Sequence, residues 1–227
     1  MNSEEADTEL ILHAVDATVY SVTSTDICSP DTDVLILAIH RYPELCRNTN
    51  FVTGTGNNRR TIQLKFIYNI LGPEKAAAPP TLQALSGSDN TGSFAGKGKD
   101  IFWKAFQAAC CSSLTAMASL GTTTELSDST CTAIEEFICN VYAPQTSITK
   151  ADKLRWWLFK KKQAESEQLP PSPAVLQQAI LCSLYQVIVW NYDKVPFPEI
   201  PMSSGILASI CVRRFETRLI SPNTRVH

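Results

Sequence analysis

The sequence predicts an α/β domain followed by an α-helical extension, and three observations carry that prediction. Residues 33–39, Asp-Val-Leu-Ile-Leu-Ala-Ile, are a short aliphatic run bounded by Pro30 and polar residues, the pattern of a buried strand in a parallel sheet. Helix-like stretches lie on either side of it, at 4–18 and 61–71. Beyond residue 110 the apolar patterning is helical throughout, at 127–141, 150–167 and 174–190.

In chain order, the first helix opens on Glu4, Glu5 and Asp7, acids that the helix macrodipole favours in a first turn. No strand comes before it, although doubly wound domains usually open on one, so a first strand is expected to be missing. Val19–Val22 is read as a short strand and 33–39 as the central one. Asn57–Arg60 is a turn, and the helix over 61–71 closes at Gly72-Pro73. A short linker at 76–80 leads to a brief helix at 81–85, and then to Ser86-Gly87-Ser88-Asp89. A glycine-rich turn, Thr91–Lys99, precedes a helix that runs to about Ala109. Thr115–Thr124 is polar and loop-like. The helix at 150–167 ends at the proline-rich 168–173, and after Met202 the pattern is lost. The expected organisation is a domain over 1–110, a helical extension over 111–201 and an irregular tail over 202–227.

Composition bounds the function. Hydrophobic residues make up 44% and charged residues 19%, with a net charge of −2, so polyanion binding would have to come from local basic clusters. The eight cysteines form no Cys-x-x-Cys pair and there are three histidines, a poor inventory for zinc. Free thiols with no signal peptide point to a reducing compartment, the cytoplasm or nucleus. No uninterrupted apolar run reaches the roughly 18 residues of a membrane span, so no membrane partner is expected.

Three acidic clusters carry the chemistry. Glu5 and Asp7 flank an alanine at a helix start, Asp31 and Asp33 adjoin the aliphatic run, and Asp89 lies in a Gly-Ser-Asp segment. On a strand, Asp31 and Asp33 would point the same way and repel each other unless a cation lay between them. Oxygen-only ligands suit a hard ion, Mg2+ or Mn2+. Several such carboxylates, holding two ions about 4 Å apart, are what two-metal phosphodiester hydrolysis needs. Each cluster also has an ordinary reading, as a helix start or a turn.

The order of these motifs resembles the PIN-like, flap-endonuclease (5′-nuclease) superfamily. The resemblance rests on Glu5-Ala6-Asp7, on Ser29-Pro30-Asp31-Thr32-Asp33 before a hydrophobic run, and on Gly87-Ser88-Asp89 before a Gly-x-Gly-Lys turn. More narrowly, the chain to about Pro201 is similar to an uncharacterised animal family often linked with mobile elements. The shared segments are Glu5–Thr8, Asp31–Leu35, Asn58–Arg60, Leu85–Thr91 and Leu169–Ser172, with Tyr185, Gln186 and Trp190. The resemblance implies a PIN-like (Rossmann-like) parallel sheet with flanking helices. It also implies Mg2+- or Mn2+-dependent hydrolysis of DNA or RNA, with Glu5, Asp7, Asp31, Asp33 and Asp89 as metal ligands and Asp31 and Asp33 at the catalytic centre.

By the same resemblance Gly96, Lys97, Gly98 and Lys99 form a clamp for a backbone phosphate, a role glycine N–H groups and lysines suit. Arg59 and Arg60 are a candidate second phosphate contact, with a solvated turn as their ordinary reading. The superfamily's first metal-binding aspartate sits on the N-terminal strand expected to be missing here, and the expectation is then a site for one ion, or none held tightly. The alternative is therefore a non-catalytic nucleic-acid-binding or protein-interaction module derived from such a nuclease. Lys160-Lys161-Lys162 is read as an exposed helix face, and Trp156, Trp157 and Trp190 as core. His13 is read as structural, and His40 as the histidine nearest a site.

Overall fold

The computed structural model describes residues 3–88, 91–161 and 168–191, with side chains from residue 6 onward. Among these residues it is an α/β structure with a small three-stranded mixed sheet and nine α-helices. The elements are α1 (Ser3–Val19), β1 (Thr25–Cys28), α2 (Thr32–His40), β2 (Thr49–Thr53), β3 (Arg60–Gln63), α3 (Leu64–Ala77) and α4 (Pro79–Ser86). They continue with α5 (Lys99–Gln107), α6 (Cys111–Ser119), α7 (Asp128–Tyr142), α8 (Ala151–Lys160) and α9 (Pro173–Asn191).

The sheet order is β1-β2-β3, with β1 parallel to β2 and β2 antiparallel to β3. A parallel pair needs a crossover, and α2 supplies it. The expected parallel sheet is thus a mixed one, and the run at 33–39 is not its central strand. It forms α2 instead. Asp31 is the helix N-cap (φ −86°, ψ 134°), and its side chain accepts a hydrogen bond from the Asp33 amide. Val34, Leu37 and Ala38 are buried at helical spacing. The aliphatic run is long because α2 is enclosed by α1, α3 and α4, so most of its faces are apolar.

The strand expected at 19–22 is corrected as well. α1 extends to Val19, and β1 begins at Thr25 with Ile27 as its buried residue. The helix expected over 61–71 starts at Leu64, because residues 60–63 pair with β2, and it continues beyond Gly72 after a kink (φ 73°, ψ 163°) at Gly72-Pro73. Residues 115–119, expected to be loop, belong to α6. The helices over 127–141 and 174–190 form as α7, capped by Ser127, and α9.

Two hydrophobic clusters hold the chain together. One gathers Ile11, Ile27, Val34, Leu37, Phe51 and Leu64 around the sheet. The other gathers Phe102, Phe106, Met117, Phe137, Leu154 and Ile180 among the later helices. They meet along α4 and α9, which pack on each other. Every residue of α4 is buried: Ala84 belongs to the sheet cluster, Leu82 and Leu85 to the helical one. α9 does the same with Val187 and Trp190 on one side and Leu176, Ile180, Leu184 and Ile188 on the other. By length and mean hydropathy (1.3) α9 could cross a membrane, although the sequence shows no uninterrupted apolar run of that length; its two-sided burial is that of a core helix.

Candidate functional site at the carboxyl end of the sheet

The carboxyl ends of parallel strands are where open α/β sheets collect ligand-binding groups. Here that edge is fixed by register. Cys28, the last residue of β1, pairs with Val52, and the Ser29 amide donates to the Val52 carbonyl at 3.1 Å. The chain then turns through Pro30 into α2. The Asp31 amide donates to Ser29 Oγ at 3.0 Å, and Asp31 Oδ1 accepts from the Asp33 amide at 2.9 Å. Both carboxylates therefore occupy the first turn of α2 at the carboxyl end of β1.

Their electrostatics differ from the strand expectation. Two aspartates on a strand repel, whereas at a helix start the N–H groups and the macrodipole compensate them. Asp33 receives further help from Gln83, a buried α4 residue whose Nε2 donates to Asp33 Oδ1 at 2.5 Å. Repulsion between the pair is thus relieved by protein donors, without requiring a cation. Asp31 remains exposed to solvent, and Asp33 is half-buried.

Arg59 and Arg60 lie at the same end of the sheet, where the chain enters β3, two strands away from β1. Arg60 opens β3 opposite Thr53, the last residue of β2, and both arginines are exposed. The structure thereby brings Asp31, Asp33, Arg59 and Arg60 to one end of the sheet, although they are up to 29 residues apart in sequence. Asp7 lies on α1, which packs on α2 and β1. Of Glu5 only the backbone is described, and Asp89 lies outside the described residues. Its described neighbours are tied down: Thr91 Oγ1 donates to the Ala84 carbonyl at 2.6 Å and accepts from the Ser88 amide at 2.8 Å. The segment on both sides of Asp89 is thus anchored to α4, the helix that carries Gln83. Among the described residues no three His, Cys, Asp or Glu side chains come together as a metal-binding group.

The clamp lysines separate. The Lys97 amide donates to the Phe94 carbonyl, and its Nζ lies 4.7 Å from the centre of the Tyr142 ring. Burial holds the Lys97 ammonium below its usual pKa and pushes Tyr142 up to about 12. Lys97 is therefore turned toward α7, while Lys99, the first residue of α5, is exposed. Gly98 is the α5 N-cap and makes no side-chain cap, and Gly96 adopts a positive φ of 68°.

No family model, curated protein or solved structure matches the chain. The chemistry of the site thus stands on its own residues.

His40 ends α2, about 13 Å along the helix from Asp31 and about 10 Å from Asp33, and its Nδ1 lies 3.1 Å from the Ala77 carbonyl oxygen. Burial, the largest cause, pulls its pKa below the usual 6.5. The unfolded ring takes up a proton that the folded ring refuses, so stability is full above about 6.5 and falls as pH drops through that value. Urea midpoints between about pH 7.5 and about pH 5 should decline, and His40→Gln should flatten the decline; an unchanged slope in the variant contradicts the assignment.

The aromatic expectations divide. Trp190 is buried, whereas Trp156 and Trp157 are 60% and 37% exposed, so the core reading of that pair is wrong. The sequence did hold a signal: Ala151, Leu154 and Leu158 already form the apolar stripe of α8, and the two tryptophans fall outside it.

Proposed function

We propose that the chain is a nuclease-type domain of the PIN-like kind, acting on the phosphodiester backbone of DNA or RNA with Mg2+ or Mn2+. The observation that carries this reading is a shared end of the sheet: two carboxylates at the carboxyl end of β1, and two exposed arginines at the same end, two strands away where the chain enters β3. Carboxylate oxygens suit a hard cation, and the arginines suit phosphate oxygens. Of the expected ligands, Asp31 and Asp33 fit such an ion in type and would hold it, with Glu5 and Asp89 as the further ligands the reading requires; Asp7 does not form a three-carboxylate group with the pair. When bound, the ion supplies Lewis-acid stabilisation of the phosphoryl and leaving oxygens. Gln83 fixes the Asp33 rotamer, the start of α2 fixes Asp31, and the exposed Arg59, Arg60 and Lys99 attract the strand.

A second reading, a nucleic-acid-binding or protein-interaction module without catalysis, draws support from the hydrogen bonds that already satisfy Asp31 and Asp33. Cleavage assays on flapped, single-stranded and duplex DNA and on RNA separate the two. Cleavage that needs Mg2+ or Mn2+ and stops with a chelator is the expected result. Binding without cleavage of any of these substrates selects the second reading.

A further inference from the structure

A separate surface, formed by α8 and the segment before it, has the chemistry of a single-strand binding platform. Lys153, Trp156, Trp157 and Lys160 follow one another at helical spacing and line a groove of about 510 Å3, together with Ile148 and Lys150 from the segment before α8. Among the described residues no carboxylate lines this groove. Burying large aromatic side chains is strongly favourable, yet Trp156 and Phe159 are 60% and 58% exposed within four residues of one helix. Their rings lie 6.2 Å apart at 26°, a stacked flat surface. Lys160 Nζ lies 5.5 Å from the Trp156 ring centre and Lys161 Nζ 4.0 Å from that of Trp157, which holds positive charge against both indoles.

The platform is fixed at its start. Glu135 of α7 accepts from Lys150 Nζ at 2.8 Å through one oxygen and from the Ala151 amide at 2.9 Å through the other. The neighbouring carboxylate on α8, Asp152, is exposed and accepts from the Lys153 amide. Glu135 is thus engaged, and the ammonium groups of Lys153, Lys160 and Lys161 outnumber the one acid on this helix.

We infer that this face of α8 binds single-stranded nucleic acid, with bases stacking on Trp156 and Trp157 and phosphates meeting the lysines. Flat aromatic faces next to ammonium groups match a ligand that alternates planar bases with anions. An amphipathic helix that lies in a lipid surface instead inserts its apolar face. In α8 that face, Ala151, Leu154 and Leu158, is consumed by the protein core. The inference needs neither hydrolysis nor the aspartates at the sheet edge.

The test uses the full chain in EDTA, so that an ion site at Asp31 and Asp33 plays no part. A labelled oligo(dT) of about 12 nucleotides, a duplex of equal length and phosphatidylserine-containing vesicles are compared as probes. Oligo(dT) should bind most tightly and lose affinity with salt. Trp156→Ala should weaken it about 10-fold, Trp156→Phe should retain most of it, and Lys160→Ala should reduce the salt slope by about 0.7. Trp156 is exposed, and an unchanged circular dichroism spectrum shows that the variants fold. Oligo(dT) affinity unaltered by Trp156→Ala, duplex bound as tightly as single strand, or vesicle capture without oligonucleotide binding each overturns the inference. Failure here leaves ion-dependent cleavage untouched, and absence of cleavage leaves this binding untouched.

Discussion

Alanine at both Asp31 and Asp33 is expected to lower ion-dependent cleavage by about 100-fold or more, the loss that follows when an ion's protein ligands are removed. Asp31→Ala alone also removes the N-cap of α2, a structural loss of about 1 kcal/mol that could imitate a catalytic one. Asp31→Asn separates the two. Asparagine keeps an oxygen that can accept the Asp33 N–H and caps a helix as well as aspartate does, but it carries no charge. The helix should therefore survive in Asp31→Asn while cleavage falls. If that variant cleaves like the parent chain, Asp31 holds no ion and serves only as a cap.

Gln83 refines the same experiment. It touches Asp33 and no exposed surface, so it is a positioning residue. Gln83→Met removes the donor while filling similar space. The expected effect is a rise of about 10-fold in the Mn2+ concentration needed for half-maximal cleavage, with a smaller change at saturating ion. A merely structural role would lower the amount of folded protein without moving that concentration.

The part of this site legible in the sequence was its inventory, not its geometry. Asp31-Thr32-Asp33 stood out because two acids adjoin six aliphatic residues, yet the same run fits a buried strand or a buried helix. The deciding signal was the aspartate itself, in a position to cap a helix, with a second acid in the first turn. The true strands were quiet for a physical reason. β1 and β3 are four-residue strands at the two edges of the sheet, and β1 buries a single residue, Ile27. Such strands have almost no periodicity to read. Arg59 and Arg60 were visible as a basic pair, but their placement at the same end of the sheet as Asp31 depends on β2–β3 pairing, which no local pattern encodes. In α8 the error lay in judging each tryptophan by type rather than by its angle from the Leu154 and Leu158 stripe.

The largest expected effect on stability lies at the joint between the two hydrophobic clusters. Gly121 follows α6 with φ +80°, a conformation that costs an L side chain roughly 1–2 kcal/mol. A Cβ at this position would stand 2.6 Å from Val187 Cγ1 and 3.0 Å from its Cβ. Val187 cannot yield easily, because it is 2% exposed and β-branched, with a restricted χ1 within the last two turns of α9. The Gly121 carbonyl also accepts from Asn191 Nδ2 at 3.2 Å, a second tie to α9. Gly121→Ala is therefore expected to destabilise the fold by about 3 kcal/mol, from strain and overpacking together. Because Val187 and Trp190 of α9 belong to the sheet cluster, displacing α9 should loosen the sheet region as well as the helices. Val187→Ala removes the obstructing methyls at a cost of its own. If the clash is real, the double variant should lose at least about 1 kcal/mol less than the sum of the single losses in urea unfolding. Strict additivity would mean that backbone strain at Gly121, and not its contact with α9, carries the whole effect.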